Sequence, residues 1–370
     1  MSVIEILRLS LMIIIGTIGL AGFGIIFGLL FKGVDRKLSA HMQGRIGPPI
    51  RQPFRDVVKL FTKENIVPDN AIPWIFNLAP FIGLIATISI LLYLPIGGFD
   101  PLVSGKGDLI LLLYLLIIPS LALAIGGFAS GSPYATVGAQ REMATMIAYE
   151  FPLAIIIISF AWKINAQITL VTDISFEQNA FAIEKLASVP IGLGSEITTS
   201  IWGVVGPLGL IGLIILLFVL IIVTPAELSK IPFGAPEAET EIAGGLLTEY
   251  SGRNLGLFYL TDAVKTIVMA SIIVALFFPF NLSPLLGLES YPAYAVDIIF
   301  YLIKVLIVVL FSVTLIRVAI ARLKIDQIVY TYWVWFTLMA LIGLILVLFD
   351  HAAIHQTGIY NTVYEMLGFV

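Results

Sequence analysis

The chain is 370 residues long, 59% hydrophobic and only 12% charged, with a formal net charge of −4. A soluble protein carries about 25% charged residues, so this composition excludes a soluble globular domain and indicates an integral membrane protein. The lack of cysteine excludes disulfides, thiolate metal sites and Cys-ligated iron–sulfur clusters in this chain, and three scattered histidines leave little for other metals.

Apolar runs long enough to cross ~30 Å of hydrocarbon recur along the chain. They predict eight spans, at about 9–31, 73–97, 108–128, 143–162, 203–224, 263–280, 297–317 and 331–350. The first run is too long for a cleaved signal peptide and no A-x-A site follows it. Between the first two spans, "QPFRDVVKLFTKEN" (52–65) alternates Phe54, Val57, Val58, Leu60 and Phe61 with charged residues, the pattern of a short amphipathic surface helix. The last stretch, 356–370, is too short to span and is expected at the interface. The predicted fold is all-α: one polytopic membrane domain, 1–370, with no inverted repeat of the transporter type.

Lysine and arginine set the predicted topology. Loop 32–72 holds Lys32, Arg36, Lys37, Arg45, Arg51, Arg55, Lys59 and Lys63, and loops 129–142, 225–262 and 318–330 add further positive charge. The alternate loops are poorer in it. By the positive-inside rule these four loops are cytoplasmic and both termini lie outside the cell membrane. The expected surroundings are the lipid bilayer and protein partners, not nucleic acid.

Carboxylates gather in two places. In "GSPYATVGAQREMATMIAYEFPLAI" (131–155), Arg141 and Glu142 sit at the predicted membrane edge and Glu150 lies about two turns into the span. Glu142 and Glu150 are eight residues apart, roughly 80° around a helix. A carboxylate inside a span is costly unless paired or hydrated, and is a functional candidate for that reason. The bland alternative pins Glu150 to Lys265 or Lys304 on another span. Lys304 lies about two turns into the seventh span, and Asp262, Lys265 and Asp297 stand at span openings.

The second gathering is "IPFGAPEAETEIAGGLLTEYSG" (231–252), with Glu237, Glu239, Glu241 and Glu249, and Glu227 just upstream. Pro236 suits a helical first turn, and Glu237 and Glu239 would then be stabilised by the helix dipole. If that helix continues, Glu237, Glu241 and Glu249 fall within roughly 120° of arc. Their carboxylates would point into the bundle, where water-bridged acids can pass protons.

Three separated strings, "MQGRIGPP…D..KL..KE…P", "YE.PLA" and "P.APEAE.E…G…EYSG", resemble in order and spacing the membrane component shared by respiratory complex I (its H-subunit, also numbered 1) and the energy-converting membrane-bound hydrogenases. "GAQREMATMIAYEFPLA" looks most like the hydrogenase branch and its sulfane-sulfur-reducing relatives. Quinone-reducing members usually differ at Arg141-Glu142-Met143, at Gly234 and at Asp35, which counts against quinone binding here. The resemblance implies a coupling subunit without a catalytic centre or cofactor of its own. It would anchor a hydrophilic arm whose partner chains hold iron–sulfur clusters and, in the hydrogenase branch, a NiFe centre, and it would adjoin antiporter-like membrane subunits. It also implies an acidic path through Glu142, Glu150, Glu237, Glu241 and Glu249, with Glu239 and Asp262 nearby. The loop residues Asp35, Arg36, Arg45, Asp56, Lys59, Lys63 and Glu64 would face the electron-transfer subunits. Two other readings stand beside it: the quinone-binding H-subunit of a complex I-type oxidoreductase, and a stand-alone secondary cation transporter.

Overall fold

The computed structural model describes residues 3–99, 101–103, 109–172, 207–283, 286–287 and 291–352; the expected interfacial segment 356–370 lies outside them. Helices α1 (Val3–Met42), α2 (Gln52–Thr62), α3 (Pro73–Leu91), α4 (Leu109–Ala129), α5 (Pro133–Thr172) and α6 (Pro207–Glu227) come first. A four-residue α7 (Glu239–Ile242) and a 3-10 turn (Gly245–Leu247) lead to α8 (Gly252–Phe277). Helix α9 (Tyr291–Val309) passes through a π-helical turn, Leu310–Thr314, into α10 (Leu315–Ala319). Helix α11 (Ile325–Tyr330) passes through a second, Thr331–Phe336, into α12 (Thr337–Ala352). With each joined run taken as one, eight helices among the described residues are long and apolar enough to cross a membrane. That is the all-α, polytopic architecture the sequence predicts.

Helix α8 is the axis of the bundle. Its most apolar window is 94% buried, against 17% for that of α1, and it packs on α1, α2, α3 and α9. Lipid tails are as apolar as leucine, so this burial reflects close packing rather than flight from solvent. Gly28 shows how close: a Cβ there would sit 2.5 Å from the Ala263 carbonyl oxygen. That approach brings Lys32, one turn further along α1, to Asp262 on α8. Helix α2 is amphipathic as expected. Phe54 and Val57 pack with Leu29, Leu260 and Ala263, while Arg55, Val58 and Lys59 are exposed.

Four boundaries differ from the sequence expectation. Helix α1 does not end at residue 31 but runs to Met42, so Lys32, Asp35 and Arg36 are helical rather than in a loop. Their charges are met within the bundle, and no helix stop occurs before Gly44, at φ +70°. Helix α5 starts at Pro133 rather than near residue 143, so Arg141 and Glu142 lie within the helix. Helix α8 starts at Gly252, which places Asp262 well within the helix instead of at its opening. Finally, no helix runs from Pro236 to Glu249. Ala243, Gly244 and Gly245 have φ of +52°, +93° and +55°, and a right-handed helix cannot pass three left-handed residues. The shared arc expected for Glu237, Glu241 and Glu249 therefore does not exist.

Candidate functional site

The site begins with the way α6 ends. The Ser229 N–H donates to the Ala226 carbonyl (2.9 Å) and the Lys230 N–H to the Pro225 carbonyl (2.8 Å), with Ser229 left-handed at φ +49°. This double bond pattern is a Schellman cap. It turns the chain so that three functional groups diverge within four residues. Glu227 stays on the helix and is buried. The Ser229 hydroxyl donates to Glu142 Oε2 at 3.2 Å. Lys230 reaches Asp262 Oδ2 at 2.8 Å.

These groups wall a cavity of about 240 Å³ among α1, α4, α5, α6 and α8, large enough for several waters. Its lining contains four carboxylates (Glu142, Glu227, Glu237, Asp262) and four cations (Lys32, Arg36, Lys230, Lys265). A second, open cleft of about 610 Å³ shares Lys32, Arg36, Ser229, Lys230 and Glu237 with it and adds Asp35, Glu239, Arg317 and Arg322. The wall between cavity and cleft is an ion trio: Asp262 Oδ2 accepts from Lys32 (2.5 Å) and Lys230 (2.8 Å). The Lys32 ammonium also lies 3.4 Å from the centre of the Tyr259 ring.

Outside the spans, two groups at this wall are perturbed. Burial pushes the Glu237 carboxyl above the usual carboxylate range, with Lys230 pulling the other way. Burial works against the Lys230 ammonium, but Asp262 and Glu237 outweigh it and raise it above its ordinary value.

Deeper in, buried Lys265 on α8 lies 2.8 Å from Glu227 Oε1. That contact is one of charge; the aligned hydrogen bond from Lys265 goes to Ser120 Oγ at 2.7 Å. Ser120 in turn shares a hydrogen bond with the Tyr149 hydroxyl at 3.2 Å. Glu150, next to Tyr149, keeps a buried Oε1 with no hydrogen-bond partner. The alternative pairing of Glu150 with Lys265 or Lys304 does not form: Lys265 belongs to Glu227, and Lys304 donates to the Phe278 and Phe280 carbonyls at 2.9 and 2.7 Å.

The remaining candidates scatter around this centre. Glu241 is exposed and pairs with Arg141 at 2.6 Å; Glu239 is exposed at the cleft, and half-buried Glu249 lines neither space. Asp35 is buried and accepts from Thr314 Oγ1 (2.7 Å) and Arg317 (3.1 Å). Arg36 pairs with Asp56 at 3.2 Å. Arg45, hydrogen-bonded to Gln43, and Lys59, Lys63 and Glu64 are exposed on the same face. Sequence reasoning does not single out Glu227, Lys32 and Lys230 as site residues. Glu227 does leave a signal, since a carboxylate in the last turn of a helix opposes the dipole and needs a cation.

Fold and cavity together define a polytopic membrane protein with carboxylates gathered around an internal cavity. Residues 15–348 match the NADH dehydrogenase family, and the chain belongs to that family. It is 31% identical to the H-subunit of the NADH-quinone oxidoreductase of Syntrophotalea carbinolica, over 81% of this chain and 84% of that one. It is 32% identical to hydrogenase-4 component C of Escherichia coli, over 84% of this chain and 89% of the relative. Among solved structures it resembles a chain of the membrane-bound sulfane sulfur reductase, an archaeal respiratory membrane complex. The TM-score is 0.73 at 28% identity, covering 92% of this chain and 99% of that one.

Proposed function

We propose that this chain is the membrane-anchoring and coupling subunit of a redox-driven ion-translocating complex, most like a membrane-bound hydrogenase or sulfane reductase. The observation that carries this reading is the cavity. Glu142, Glu227 and Glu237 line one space of about 240 Å³ inside the bundle, and an open cleft on the basic face shares Glu237 and Lys230 with it. Protons enter through Glu237, pass to Glu142 and Glu227, and leave towards Glu150, whose unpartnered oxygen points the route sideways to antiporter-like membrane subunits. Glu239 stands at the cleft, Glu241 and Glu249 lie outside both spaces, and Asp262 is the fixed charge of the wall. The basic face, with Arg45, Lys59 and Lys63, docks hydrophilic subunits that hold the iron–sulfur clusters and the NiFe centre of a hydrogenase-type arm. The whole chain acts as one membrane domain with both termini outside.

A second reading, quinone binding, is favoured by one feature: Leu123, Leu247, Leu255 and Phe258 give the cavity an apolar flank. Gentle detergent purification from native membranes tests both. Nickel with hydrogen evolution supports the hydrogenase form. Iron without nickel supports sulfur or quinone reduction, which activity on each acceptor separates. A chain that runs alone without redox metals overturns the coupling role and revives a stand-alone transporter.

A further inference from the structure

The inner part of the cavity holds two carboxylates and one ammonium. Glu142 and Glu227 both line it, and Lys265 is the ammonium among them; Lys32 and Lys230 are committed to Asp262 at the wall. Lys265 touches Glu227, while the hydrogen bond to Glu142 among the described residues comes from the Ser229 hydroxyl. One buried cation facing two acids stabilises one ionised carboxylate at a time, since a second uncompensated charge in a low-dielectric site is strongly disfavoured.

We propose that Lys265 is a positioning residue that exchanges between Glu227 and Glu142 and so forces a proton to move the other way. In the first state Glu142 is protonated and the ammonium rests on ionised Glu227, matching the 2.8 Å contact between Lys265 and Glu227. When Glu142 releases its proton to cavity water, the ammonium is drawn to the new carboxylate, and Glu227, left without its counter-charge, takes up that proton. One proton has moved from Glu142 to Glu227. Lys265 stays protonated throughout and the net charge is unchanged. The Ser120–Tyr149 pair supplies the hydroxyl that holds the ammonium from the α4 side. The cation position beside Glu227 is filled by the Lys265 ammonium itself.

The proposal deepens the coupling role above and rests on it. The charged and titratable groups around Lys265 are Glu227 from α6, Glu142, Tyr149 and Glu150 from α5, Glu237 from the 231–252 segment and Asp262 on its own helix, with Lys32, Arg36 and Lys230 towards the wall. Helix α3 carries no ionisable side chain and α4 has only Tyr114.

The test uses the intact complex, purified from native membranes and reconstituted in vesicles, with protons moved per electron as the readout. Lys265→Met alone risks misfolding because it leaves Glu227 buried and unpaired, so the decisive variant is Lys265→Met with Glu227→Gln, which removes both charges. The expected result is an assembled complex whose proton-to-electron ratio falls at least tenfold. Lys265→Arg should keep partial coupling with a shifted pH profile, as an ammonium-to-guanidinium change alters the exchange but preserves the charge. Normal coupling in the double variant would overturn the exchange and reduce the pair to a structural contact. Glu142→Gln and Glu237→Gln serve as the reference. If they too couple normally, the proton path itself fails. If they lose coupling while the double variant retains it, the Lys265 exchange and the Glu227 step fail together, and the path through Glu237 and Glu142 stands.

Discussion

Buried charge occurs at both ends of this bundle, and the two ends use it differently. At the end of α8 towards Phe277, Asp297 accepts from the Leu282 N–H, the Ser283 N–H and the Ser283 hydroxyl, at 3.0, 2.9 and 2.6 Å. Lys304 caps two carbonyls there and sits 5.0 and 4.9 Å from the ring centres of Phe280 and Phe300. The neighbouring cavity measures about 50 Å³. Those charges are committed to backbone, hydroxyl or ring, so they fix a loop to a helix. At the other end, the charges of Glu142, Glu227, Glu237 and Lys265 face a space almost five times larger and face each other. Residue type does not distinguish the two; commitment to backbone does.

Substitutions that keep shape and remove charge can break this comparison. The largest effect is expected from Glu142→Gln: ion translocation per electron in reconstituted vesicles falls at least ~tenfold, equivalent to about 1.4 kcal/mol or more on the transfer step. Unchanged translocation would make the cavity end as structural as the other. Asp262→Asn comes next. It leaves Lys32 and Lys230 facing each other without their shared carboxylate, which should cost about 3 kcal/mol and show as a lowered thermal midpoint or failed assembly. Glu237→Gln has a smaller and pH-dependent effect. Because burial raises this carboxyl in the folded state, its contribution to stability is present at low pH and is lost as pH rises through the raised value. The variant should therefore gain stability relative to the parent as pH climbs above the usual carboxylate range, read from thermal midpoints across pH. Asp297→Asn should be the mildest for function. Coupling stays intact while stability drops by about 1–3 kcal/mol from the lost charge-assisted bonds; a loss of coupling at normal stability would erase the contrast between the ends.

Span number and the amphipathic α2 were readable from sequence, because hydropathy is a local signal; Glu142 and Glu237 drew notice there as carboxylates beside apolar runs, and the structure lines one cavity with both. The path of the acidic segment was not. Three successive left-handed residues at 243–245 undo a helix that Pro236 and the spacing of the glutamates suggest, and only the packing of Leu246 against α4 and α5 makes that turn worthwhile. Partnership was equally hidden. Lys32 and Asp262 are 230 positions apart, and Lys32 and Lys230 read simply as markers of the basic side. Nothing local tells a topology charge from one wall of a cavity.

The unbroken course of α1 has a mechanical meaning. About 15 Å of continuous helix separates Lys32 from Met42, and the Arg45 turn follows directly. Lys32 at the cavity wall and the exposed Arg45 turn thus sit at the two ends of one stiff rod. A twist applied at the tip arrives at the wall as rotation of the Lys32 side chain against Asp262, with no hinge between to absorb it.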